Sequence, residues 1–294
     1  MSEEKELLPN RDIDLREAGG LIFYEKEHAY YNADGVKYTG MTTFLKAFEG
    51  ENFDADKTSK YKAIKEVLSD VQMKKLKAII TKELHEPSRT AWTKVHLFFE
   101  KLCDNSTTFA ISLPAKQQEF LDAWEKSAVD GSIEHDKREK EIMEHGVTWN
   151  GKYYPFMNKN ILEITKDDVC VIPEIMVWNH ETQLCGLIDL PIFDKGVCHI
   201  LDYKTNKQIE KSGFMGRKMK QAFKFHPDCN FSKYSAQLHG YQKMACELTG
   251  FEPGECWIIS TASKEYKRKE DVFIECIDMS TEINEAFKTF KYLK

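Results

Sequence analysis

From residue 169 the chain leaves its helical patterning and enters three apolar runs of strand length, VCVIPEIMVWN, QLCGLIDLPIF and VCHILDYKT. The separators, HET and DKG, suit tight hairpin connections. A helical pattern follows at about Lys233–Thr249, stopped by Gly250. Strand patterns near ECWIIST and DVFIECI come next, and a final helix from about Glu282. This order predicts an α/β (α+β) fold, with a mixed central sheet flanked by helices.

Charged residues interrupt these core-bound runs. Asp189 lies inside the second, and Asp202 and Lys204 close the third. Side chains at i and i+2 of a strand share a face, so Asp202 and Lys204 emerge side by side. A hairpin at DKG lets Asp189 approach Asp202, and Glu174 on the preceding run can join them. Converging carboxylates repel one another, and a hard divalent cation removes that conflict. Two aspartates and a carbonyl, such as that of Tyr203, suit Mg²⁺. A neighbouring lysine can orient or deprotonate a water, or stabilise charge on a phosphate. The same spacing also fits structural salt bridges at strand ends.

Upstream of residue 169 the chain reads as an acidic, flexible arm over 1–20, then a β-meander in LIFYEKEHAYYNADGVKYTG. Thr42 or Thr43 is expected to cap a short helix through Phe48. Helical patterns cover 55–84, 90–102 and 115–145, with Gly131 as a candidate break. The division expected is a meander plus helical region over 21–160, followed by a core over 161–294.

The net charge of −6 excludes wholesale coating of nucleic acid by a basic protein, yet leaves room for a local basic groove. No apolar stretch approaches the ~20 residues that span a bilayer, and MSEEKELLPNRD resembles neither a signal nor a transit peptide. The expectation is no membrane contact and a cytoplasmic location, in a bacterium or a phage-infected host. None of the eight cysteines forms a CxxC pair, so they read as reduced, buried thiols.

GLID (186–189) followed by DYK (202–204) resembles the PD-(D/E)XK nuclease superfamily, whose core is restriction-endonuclease-like. QLHGY (237–241) on the next helix resembles the QxxxY motif of its RecB-like exonuclease branch, with Gln237 and Tyr241 on one helix face. DGSIEHDKREKE (130–141) resembles that branch's first motif, a small residue and a histidine opening a helix. FYEKEHAYYNADGVKYTGMTTFLKAFEGENFD looks like the opening of phage-type and mitochondrial genome maintenance exonucleases, with His28, Tyr30 and Met41-Thr42-Thr43 in the matching places. Gly-Met-Thr stands where those proteins carry Ser-Val-Thr.

The resemblance implies a Mg²⁺- or Mn²⁺-dependent DNA exonuclease. Its substrate would be single-stranded DNA with a free end, admitted between the helical part and the core. Asp189, Asp202 and Lys204 would be catalytic, with Gln237 and Tyr241 orienting Lys204 or contacting the backbone. His135, Glu174, Asp189, Asp202 and the Tyr203 carbonyl would form the metal shell, with Glu139 a further candidate. Some relatives hold an iron–sulfur cluster through three closely spaced cysteines after the core. This chain has no such triplet, and no cluster is expected. A protein partner in a replication or recombination complex is left open.

TNKQIEKSGFMGRKMKQAFKF (205–225) carries Lys207, Lys211, Arg217, Lys218, Lys220 and Lys224 against the single acid Glu210. Phe214, Phe223 and Phe225 are interleaved. Cations beside a metal site can hold phosphates, and aromatics can stack on unpaired bases. The alternative is a solvated connector with its phenylalanines in the core. Two further readings of the whole chain stay open: an endonuclease on the same core, and a catalytically silent nucleic-acid-binding subunit.

Overall fold

The computed structural model describes residues 17–18, 20–24, 29–50, 54–85, 92–105, 107–213, 216–262 and 267–291. The chain forms two compact units, one of residues 1–50 with 133–294 and one of residues 51–132. This cuts the chain differently from the expected division at residue 160. Of the expected arm, residues 1–16 and His28 of the meander lie outside the described residues.

The first unit opens with strands β1 (Glu17–Ala18), β2 (Leu21–Tyr24), β3 (Ala29–Asn32) and β4 (Lys37–Gly40) and helix α1 (Met41–Lys46). The meander is as expected, and β1 extends it back into the supposed arm. The expected threonine cap is not formed. Gly40 is the N-cap and makes no side-chain capping bond, because the chain passes straight from β4 into the helix and carries Thr42 and Thr43 inside its first turn.

The second unit holds α2 (Ala55–Val67), α3 (Asp70–Leu84), α4 (Val95–Asn105) and the start of α5 (Thr107–His145). The single helical region expected over 55–84 is two helices. Ser69 and Gln72 form a capping box that starts α3, satisfying its first free N–H groups. This unit has its own core, built around Ile64, Ile80, Val95, Phe98, Phe99 and Leu113. Helix α5 runs without a break through Pro114 and Gly131, so the expected interruption at Gly131 is absent.

After α5 come the hairpin β5 (Val147–Trp149) and β6 (Lys152–Tyr154), then β7 (Val169–Val171), β8 (Ile175–Asn179), β9 (Leu184–Ile188), β10 (Leu190–Asp194) and β11 (Val197–Lys204). Helix α6 (Asn230–Thr249), strands β12 (Glu252–Ser260) and β13 (Val272–Glu275) and helix α7 (Ser280–Lys291) complete the chain. Gly250 stops α6 in the left-handed conformation, as expected.

The fold is α+β with mixed sheets, although one central sheet is replaced by two. A six-stranded sheet has the order β1-β2-β3-β4-β9-β8, and a five-stranded sheet the order β13-β12-β11-β10-β7. Each of the first two apolar runs contributes a strand to both sheets. β8 pairs with β9 and β7 with β10, so one antiparallel ribbon bends from the first sheet into the second. Pro173, which has no N–H to donate, and Glu174, at φ 54°, form the bend in one strand. Asp189 forms it in the other, accepting a hydrogen bond at its carbonyl from the Glu174 N–H (3.4 Å).

Helix α6 packs on β8, β11 and β12. Their contact face belongs to the main core, which includes Met176, Ile200, Ala236, Leu238, Met244 and Ile258. The opposite face of the five-stranded sheet forms a smaller core of Ile142, Trp149, Tyr154, Leu190, Leu201, Tyr203 and Ile259. No described helix is long and apolar enough to cross a membrane.

Candidate metal centre

Alternation along β11 sends Leu201 and Tyr203 into the smaller core, while Cys198 and Ile200 enter the main core beneath α6. Asp202 and Lys204 share the α6 side by the same alternation. The β10–β11 register pairs Leu190 with Leu201, which brings Asp189 up to Asp202. The N–H of Tyr203 donates to Asp189 Oδ2 (3.1 Å). The backbone of Tyr203, whose carbonyl the sequence reading offered as a ligand, thus runs beside Asp189.

His135 comes from α5, with Nδ1 3.3 Å from Asp189 Oδ2. It sits well inside a continuous helix, and does not open one as expected. One ligand atom each from His135, Glu174 and Asp189 lies within 4.8 Å of the others, and all three residues are half-buried. Glu174 is at the ribbon's bend and not within a strand, which turns it towards Asp189. Glu139 is buried and is not part of this group.

A cleft of about 740 Å³ is lined by His135, Glu174, Asp189, Asp202, Lys204, Gln237 and Tyr241. Lys37, Thr42 and Thr43 also line it, from β4 and α1. The site residues expected from the sequence therefore meet in one place, from α5, the bent ribbon, β11 and α6.

Asp202 is almost fully buried, with only 1% of its surface exposed. The Lys204 ammonium lies against its Oδ2 as an ion pair. Charge attraction and a side-chain hydrogen bond both tie the two groups together. Burial, and then repulsion from Asp189, push the Asp202 carboxyl up to about 6, against the opposing pull of Lys204. Burial would lower the Lys204 pKa, but the Asp202 and Asp189 carboxylates outweigh it and raise it above the ordinary lysine value. Lys204 is therefore a cation throughout the neutral range.

A carboxyl whose folded pKa is raised stabilises the fold fully below its ordinary pKa, and the stabilisation is lost as pH rises through the folded value. For Asp202 that window runs from about 4 to above 6, and the shift corresponds to about 3 kcal/mol. Asp168 and Asp194 act oppositely. Their hydrogen bonds to Lys159 and Lys152 lower their pKa values, so their contribution is lost only in stronger acid. In EDTA, Asp202→Asn is expected to flatten the fall in melting temperature of the wild type between pH 5 and 7. Parallel curves for the two proteins would remove Asp202 as its source.

Gln237 and Tyr241 are bonded to each other, Gln237 Nε2 donating to the Tyr241 hydroxyl (3.0 Å). The tyrosine is buried against Gly186. A Cβ at that glycine would overlap Cε1 of the ring and come within 3.0 Å of Cζ and the hydroxyl. The Gly of GLID and the Tyr of QLHGY are thus two halves of one contact.

The sequence reading missed one residue beside Lys204 and one on the opposite face of β11. Tyr234, three residues before Gln237, holds its ring centroid 4.9 Å from Lys204 Nζ. Arg138, three residues after His135, bonds Glu134 (2.8 Å) and Asp271 (3.1 Å) and lies over the Tyr203 ring (5.4 Å). The spacing to Gln237 was a readable sign for Tyr234. Arg138 gave none, because its partner Asp271 is remote in sequence.

In the basic segment Lys207, Lys211, Lys218, Lys220 and Lys224 are exposed and Arg217 is half-buried. Ile209 and Met219 anchor the segment in the core, and Lys220 N–H donates to the Phe48 carbonyl (2.7 Å). Phe223 is fully buried against Phe48, which removes it as a stacking platform. Phe225 is 73% exposed, with the Lys224 ammonium 5.1 Å from its ring. Phe214 lies outside the described residues.

No protein-family model matches the chain, and a search of curated proteins finds no match.

Proposed function

We propose that this chain is a metal-dependent deoxyribonuclease with a PD-(D/E)XK core of the RecB-like exonuclease branch. The observation that carries the reading is the meeting of Asp189, Asp202 and Lys204 with His135 and Glu174 in one cleft. Three residues of metal-ligating type, one of them an imidazole, with a ligand atom of each within 4.8 Å of the others, support a metal role beside the salt bridges. The donor set fits a divalent cation: carboxylate oxygens suit Mg²⁺, and the imidazole favours Mn²⁺.

His135, Glu174 and Asp189 would hold the ion, with Asp202 on the wall of the same cleft. A bound divalent cation polarises a phosphate and makes water a better nucleophile at neutral pH. Lys204, already a cation, orients that water and balances charge growing on the phosphate. Gln237 and Tyr241 fix the wall behind it. The exposed lysines of 207–224 offer a phosphate-binding stretch directly after β11. The resemblance of GLID, DYK and QLHGY supports a preference for single-stranded DNA ends, and the acidic N-terminal stretch fits service in phage or bacterial replication, recombination or repair.

The test incubates an end-labelled single strand, its duplex and a closed single-stranded circle with Mg²⁺ or Mn²⁺, beside EDTA. Shortening of the linear strand with the circle intact is the expected result. Cutting of the circle would make the protein an endonuclease, and no cleavage of any substrate would leave a binding subunit. Independently of cleavage, Mn²⁺ at a hundred times its Kd is expected to stabilise the fold by about 2.7 kcal/mol, read as a rise in melting temperature. Asp189→Ala should abolish that rise. An equal rise in the variant would place the ion elsewhere.

A further inference from the structure

We propose that Tyr234 is the positioning residue for Lys204, holding its ammonium against an aromatic face so that it points at the reacting phosphate. The inference rests on the nuclease reading of the same cleft. Lys204 ends β11 on a flexible four-carbon stem, and such a side chain needs restraint to serve one position. Two restraints reach it. Asp202, two residues back on the same strand, supplies the opposite charge. The Tyr234 ring, from α6, supplies a negative π-face 4.9 Å from Nζ.

The ring is itself held at both ends. Its backbone belongs to α6, which packs on β11. Its hydroxyl donates to Asn206 Oδ1 (2.8 Å), and the Asn206 carbonyl accepts from Arg268 Nη2 (2.9 Å). The loop leaving the lysine is thus tied to the ring beneath it. Gln237, which the sequence pattern offered for this task, donates one amide N–H to Tyr241.

Tyr234→Phe keeps the π-face and removes the hydroxyl, whereas Tyr234→Leu fills space without a π-face. The expected outcome is that kcat on an end-labelled single strand stays within about threefold in the phenylalanine variant and falls about tenfold in the leucine variant, with KM unchanged. A second readout does not depend on cleavage. In protein labelled with ¹³C-lysine, the Cε protons of Lys204, identified by their loss in Lys204→Met, should be shifted upfield by the ring. That shift should persist in Tyr234→Phe and vanish in Tyr234→Leu. No shift in the wild type overturns the contact. A shift lost in the leucine variant without a fall in kcat overturns the positioning role, as does a matching rise in KM. A wild type that cleaves nothing overturns the nuclease reading and the role built on it, while the resonance still reports whether the contact exists.

Discussion

Lys204→Ala is expected to lower metal-dependent cleavage by about 100- to 1,000-fold while leaving a folded protein. The fold survives because Asp202 can shed its charge. Its carboxyl already stands at about 6 with the lysine in place, so losing the lysine drives it to hold a proton at neutral pH. A neutral buried carboxyl costs far less than an unpaired carboxylate. The melting temperature should therefore fall modestly, and more at pH 8 than at pH 6. Wild-type cleavage by the variant, measured on the same labelled strand, would exclude Lys204 from the chemistry. A protein unfolded at pH 6 would show that the ion pair serves the fold first.

Gly186→Ala is the second large effect, and it comes from shape alone. The new methyl group overlaps the Tyr241 ring, which is buried and tied to Gln237. Overpacking of this kind costs about 1–3 kcal/mol, and the ring must move to relieve it, which disturbs the wall behind Lys204. Both stability and cleavage should drop. Shrinking the tyrosine should recover stability, so Gly186→Ala with Tyr241→Leu is expected to be less destabilised than the sum of the single variants. Simple additivity in thermal melts would mean that the two residues do not compete for space.

The strands around the site were readable because their apolar runs are short and bounded by strong turns. Lys195 and Gly196 make the DKG turn, and His180 to Gln183 the other. The i, i+2 rule alone placed Asp202 beside Lys204. The rule could not show that the first two runs each change sheets, because Pro173 and Asp189 mark a bend only when both strands are seen together. Gly131 misled for a related reason. A single glycine costs a helix only about 1 kcal/mol, and the regular pattern on either side carries α5 through it. Glu174 was found as a residue and misplaced as a conformation. Tyr234 was missed although its three-residue spacing puts it near the helix face of Gln237, because nothing in the sequence ties that face to a lysine on a strand.

The bent ribbon has a consequence for how the chain finds its fold. A strand pairing that slips by one residue exchanges its two faces. Around the bend, such a slip would carry Glu174 or Asp189 from the cleft towards the apolar interior, where an unpaired carboxylate is strongly disfavoured. The acids proposed to gather a cation would therefore also reject mispaired ribbons while the protein assembles. A chain with both replaced by leucine would lose more than its chemistry: it would lose the signal that tells one alignment of these strands from the next.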